Sequence, residues 1–60
     1  MAIMEGDRFK DKLNGHSFIV KKIMDGAVVL EPEDRPNRFC LSDAFVELLF
    51  EREEDYRTMN

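Results

Sequence analysis

The sequence predicts a mainly β fold: five short strands with one helical turn before the last, wrapped into a small barrel. Three observations carry this. Asn14-Gly15 separates two strand-like runs, Asp25-Gly26 separates the second run from a β-branched third, and Pro32 and Pro36 bracket a loop ahead of a short fourth. Asn-Gly and Asp-Gly suit the tightest hairpins, whose central residues need positive φ. Proline cannot donate to a sheet ladder, so the 32–36 stretch is a break.

The elements follow in order. Residues 6–13 form the first strand region and 16–23 the second. The third is Ala27-Val28-Val29-Leu30-Glu31, and Asn37-Arg38-Phe39-Cys40-Leu41 is the short fourth. Ser42 then offers an N-cap and Asp43 an acid in the first helical turn. Two readings compete beyond it. In the first, residues 43–46 make one helical turn and residues 47–51 the last strand, with Val46, Leu48 and Phe50 on one face. In the second, a meander of three to four strands is followed by one helix over residues 43–54. Phe45, Val46, Leu48, Leu49 and Phe50 then fall on a broad arc. Residues 53–60 read as a frayed acidic tail, and the core spans about residues 5–52 of a single 1–60 domain.

Size limits the chemistry. A 60-residue chain buries only about 60% of the surface its unfolded form exposes. One cysteine and one histidine exclude an internal disulfide and an ordinary four-ligand zinc site. Stability must come from economical packing or self-association. No apolar run approaches the length of a membrane helix. The N-terminus lacks the basic start and apolar stretch of a signal peptide. With a lone free cysteine, the expected compartment is the cytoplasm.

At Ser42-Asp43-Ala44-Phe45-Val46-Glu47-Leu48-Leu49 the chain resembles the end of a Src-homology-3 domain, where a helical turn delivers an aromatic and a valine into a short last strand. Strand number and meander order also resemble that barrel over roughly residues 5–52. The resemblance implies the architecture and not the family's proline-rich ligand. That ligand is held by tyrosines, a tryptophan and a proline before the helical turn. Here Leu41 stands at that place, there is no tryptophan, and the single tyrosine is Tyr56.

A two-residue turn at Asn14-Gly15 sets Leu13 opposite His16, Phe9 opposite Val20 and Arg8 opposite Lys21. Phe9, Leu13, Phe18 and Val20 then form the core face. Arg8, Lys10, Lys12, Ser17, Ile19, Lys21 and Ile23 share the other. Like charges directly opposite destabilise a sheet, so a negative group belongs near Arg8 and Lys21, with the acids from Glu51 to Asp55 the nearest candidates.

Net charge is −4, divided as +1 over residues 1–30 and −5 over residues 31–60. The acidic total makes nucleic acid an unlikely partner, although Arg8, Lys10, Lys12 and Lys21 offer a basic face for one. Leu49, Phe50 and Glu51 instead suggest an apolar and acidic interaction surface. The leading expectation is a non-enzymatic protein-interaction module, with self-association as a dimer one form of it. An enzyme is the remote alternative. His16 reads as an exposed, idle histidine, Cys40 as a small buried hydrophobe, and the acids Glu31, Glu33 and Asp34 as a solvated loop. No cofactor, metal, membrane or small-molecule substrate is expected.

Overall fold

The computed structural model describes residues 2–53. It contains β1 (Arg8–Asp11), β2 (Ser17–Met24), β3 (Ala27–Pro32), β4 (Phe39–Ser42), α1 (Asp43–Leu49) and β5 (Phe50–Arg52). The strands make one antiparallel sheet in the order β4-β3-β2-β1-β5, curled into a half-barrel compatible with a small barrel. The mainly β class, the five strands and the short helix before the last strand are as the sequence predicts.

The curl can be read from three rings. Phe18 of β2 meets Phe39 of β4 edge-to-face at 5.5 Å and Phe50 of β5 edge-to-face at 5.4 Å. Each of these strands is two places from β2. Neighbouring strands lie about 4.8 Å apart, so a flat sheet would hold both rings well clear of Phe18. Bending brings an aromatic from each edge onto one central ring. Phe9, Phe18, Val20, Val28, Leu30, Val46 and Phe50 form the buried core, with Ile3, Ile23 and Leu41 packed against it.

The β2–β3 turn is as expected. Asp25 and Gly26 take φ of 48° and 78° between the paired Met24 and Ala27, the two positive angles of a type I′ turn. The β1–β2 connection is not. Asn14 has no positive φ; only Gly15 does, at 77°. The Asp11 carboxylate accepts from the N–H groups of Leu13 (2.7 Å) and Asn14 (3.4 Å). The Asn14 side chain accepts from the N–H of His16 at 2.8 Å. Short polar side chains thereby close a five-residue loop, 12–16, that competes with the two-residue turn.

The register slides accordingly. Phe9 pairs with Phe18, and Arg8 pairs with Ile19 rather than Lys21. Sliding by two residues preserves faces, so Phe9, Phe18 and Val20 reach the core as expected. Leu13 does not: it is 91% exposed in the loop. A bulge between Val20 and Lys22 then reverses the alternation of β2. Ile23 turns inward opposite Val28.

Two further expectations are corrected. Cys40 is exposed, because it pairs with Val29 on the outer face of an edge strand while Phe39 and Leu41 take the inner positions. The helix runs to Leu49, longer than one turn and shorter than the 43–54 alternative. Of the expected frayed tail, Glu53 is held: its N–H donates to the carbonyl of Arg8 at 2.9 Å, and its carboxylate accepts from Ser17 Oγ at 3.0 Å. Residues 54–60 lie outside the described residues.

Candidate interaction surface

Helix α1 is fastened at both ends by groups the sequence places close by. Ser42 Oγ accepts from the N–H of Phe45 at 3.2 Å, and Asp43 supplies the acid of the first turn. This satisfies one of the unpaired amides at the helix start. No glycine ends the helix. The β1–β2 loop does so instead: the N–H of Lys12 donates to the carbonyl of Leu49 at 3.0 Å and Lys12 Nζ to that of Leu48 at 3.1 Å. The chain then turns into β5 at Phe50, whose N–H still donates to Val46.

This anchoring fixes which side of α1 looks outward. At about 100° per residue, Ala44, Leu48, Phe45 and Leu49 occupy a continuous arc, and Val46 lies beyond Leu49. Val46 is fully buried, whereas Phe45, Leu48 and Leu49 are 53%, 64% and 42% exposed. Only one of the helix's four large apolar side chains serves the core. The other three, at i, i+3 and i+4, make a stripe exposed among the described residues. Leu13 follows the Lys12 anchor and is exposed as well.

The residues singled out from sequence therefore separate. Leu49 belongs to the stripe, and Glu51 is exposed on β5, opposite Lys10 of β1. Phe50 does not belong to a surface: it is 5% exposed and stacked on Phe18. Leu48, expected to point inward with Val46, points outward, because α1 persists past residue 46 and sets the two about 200° apart. Phe45 was not singled out. Its signal was the 45, 48, 49 spacing, present in the helical reading and lost in the strand reading.

The basic residues also part. Arg8, Lys10 and Lys21 stand on the outer face of the sheet, but Lys12 leaves it to close α1. The outer face is already threaded with acids. Arg8 pairs with Glu33 and with Glu53 at 3.7 Å, and Lys21 pairs with Glu31 at 3.9 Å. Glu31 also receives Arg38 at 3.1 Å. Lys10 lies opposite Glu51 in the β1–β5 register. The negative neighbours expected near Arg8 and Lys21 come chiefly from β3 and the loop after it, joined by Glu53.

At one end of the core Arg52 draws the chain together. Its guanidinium donates to Asp7 Oδ2 at 2.6 Å and to the carbonyl of Ala2 at 2.9 Å, and lies 5.1 Å over the ring of Phe9. Asp7 Oδ2 also accepts from the N–H of Met4 at 2.8 Å. Burial pushes the Asp7 carboxyl upward. The bonds from Arg52 and Met4, with the charge of Arg52, outweigh it and hold the carboxyl below the usual aspartate range.

Between this lock and α1 lies a cleft of about 380 Å³. Ile3, Phe9 and Phe50 form its apolar side, and Lys12, Glu47, Glu51 and Arg52 its polar side. Lys12 and Arg52 are both committed to protein oxygens. Among the described residues no group of three or more His, Cys, Asp and Glu side chains is placed to hold a metal ion. No described helix is long and apolar enough to cross a membrane. Comparison with known protein families, characterised proteins and solved structures returns no match to this chain.

Proposed function

We propose that this half-barrel is a small barrel of the Src-homology-3-like kind, and that it works as a non-enzymatic protein-interaction module whose docking surface is the outer side of α1. The observation that carries the reading is the stripe Phe45, Leu48 and Leu49, three large apolar side chains in one row with none of them needed by the core. Contiguous exposed apolar surface of this kind marks interaction sites. The barrel likeness is supported by the meander order, the return of β5 to β1, and the capped helix before the last strand. The free, exposed Cys40 fits a reducing compartment, and we place the protein in the cytoplasm. The outer sheet face is a weaker candidate for a nucleic-acid backbone, because Arg8 and Lys21 already have carboxylate partners.

The test replaces Phe45 and Leu48 by serine in turn. Both are more than half exposed, so each variant keeps the fold, checked by circular dichroism. Each is expected to weaken binding of an amphipathic probe peptide, or self-association measured by light scattering. A pair of folded variants that changes neither would remove the reading.

A further inference from the structure

The sheet ends on two open strands, and they are unlike. β5 carries Glu51 and Arg52, whereas β4, Phe39-Cys40-Leu41-Ser42, carries neither a charge nor a proline. Charges, prolines and bulges are the usual guards of an edge against pairing with another chain. The β3–β4 ladder is regular as well. Which groups β4 presents follows from that ladder. The N–H of Asp43 donates to the carbonyl of Gly26 at 2.8 Å, one step beyond the pair Ala27–Ser42. Hydrogen-bonded pairs alternate along an antiparallel ladder, so Leu41 and Phe39 bond to β3. The N–H and C=O of Cys40 point away from the sheet, and β4 has no second neighbour among the described residues.

From this edge we infer that β4 pairs antiparallel with β4 of a second copy, Cys40 against Cys40, joining the two sheets across a two-fold axis. This surface is distinct from the α1 stripe, and the inference goes beyond the reading above. Three conditions select the copy and the register. Opposed residues of a continuous sheet share a face, so in a two-fold pairing one residue of β4 must meet itself. The new hydrogen bonds must join outward groups, which are those of Cys40. The apolar side chains must also meet. With Cys40 at the axis, Phe39 stands across from the second copy's Leu41 as a close, non-bonded pair, twice over. Both are on the inner side, where Phe39 is still 36% exposed. A slide of two places sets Phe39 against Asp43, or Leu41 against Asn37. No charge meets its like at the axis: Arg38 stands across from the second copy's Ser42, and the net charge of −4 lies outside the paired strands.

The experiment is analytical ultracentrifugation of the full chain, in reductant so that no disulfide forms. The junction is short and its association weak, so the series runs up to about 1 mM. The native chain is expected to dimerise within that range. Cys40 is exposed on the outer side of the sheet, so Cys40→Lys and Cys40→Glu keep the fold. Each sets like charges directly opposite at the axis and should weaken the dimer about tenfold or more. An equimolar mixture of the two variants sets lysine against glutamate and should recover the dimer, a result that misfolded variants could not give. Leu48→Ser should leave the native association unchanged.

A native chain that stays monomeric throughout the series would overturn the inference. So would a mixture no more dimeric than either variant alone, because Cys40 would then not lie at the axis. Association lost in Leu48→Ser and kept in Cys40→Lys would place the second copy on α1, overturning the β4 pairing while leaving the docking surface above in place.

Discussion

Replacing Asp7 by asparagine tests the lock at the end of the core. The carboxylate accepts from Arg52 at 2.6 Å and from the Met4 amide at 2.8 Å. Hydrogen bonds to a charged group contribute about 1.5–3 kcal/mol when buried. Here Asp7 and Arg52 keep 20% and 26% of their side-chain surface, and asparagine retains one acceptor oxygen. Arg52 also keeps the Ala2 carbonyl and the Phe9 ring. The expected loss at neutral pH is therefore about 1–2 kcal/mol, with each kcal/mol lowering Tm by about 4–8 °C in a domain this small. The dependence on pH has a definite sign. A carboxyl held below its unfolded-state pKa stabilises the fold above that value, and the contribution drains away as pH falls through the folded-state value. Thermal or urea melts of both proteins from pH 7 to pH 2 should show a gap that narrows below about pH 4. No gap at pH 7, or a gap of constant size across the series, would refute the assignment.

Three other substitutions probe the elements around it. Gly26→Ala forces a side chain into φ of 78° and should cost about 1–2 kcal/mol in chemical denaturation, through left-handed strain at the β2–β3 turn. Ser42→Ala removes the acceptor for the Phe45 amide and should cost about 0.5–2 kcal/mol in the same assay. Phe50→Ala should cost about 3–5 kcal/mol, enough to unfold much of so small a protein, whereas Leu49→Ala one residue earlier should stay within about 1 kcal/mol. Similar losses at the two positions would contradict the division between core and surface at the end of α1.

The β class, the meander of the first strands and the core places of Phe9, Phe18 and Val20 were legible because they depend on turn chemistry and alternation, which are local. Phe9, Phe18 and Val20 were placed correctly even with the wrong register, since a slide of two residues keeps parity. The loop was misjudged because Asp11 and Asn14 bind nearby amides and outcompete the Asn-Gly turn; that competition is settled by side-chain geometry. The bulge between Val20 and Lys22 was hidden for a similar reason: nothing in a run of strand-forming residues says where the ladder gains one. Phe50 was offered as a surface residue because its burial depends on Phe18 arriving from the far side of the sheet, a long-range event. The stripe on α1 was half visible. Its spacing was in the sequence, but recognising it required knowing that the helix outlasts one turn, and Lys12, 36 residues away in the chain, helps to decide that.

The single ring of Phe18, touched by Phe39 from one margin and Phe50 from the other, has a consequence for how the protein comes apart. A five-stranded open sheet with two unpaired margins would ordinarily fray strand by strand from its ends. Here neither margin can leave without stripping a partner from the same central side chain, and its loss loosens the grip on the opposite margin. Unfolding should therefore be concerted, with amide exchange at Phe39–Ser42 and at Phe50–Arg52 governed by one shared opening event although the two segments are not neighbours in the sheet.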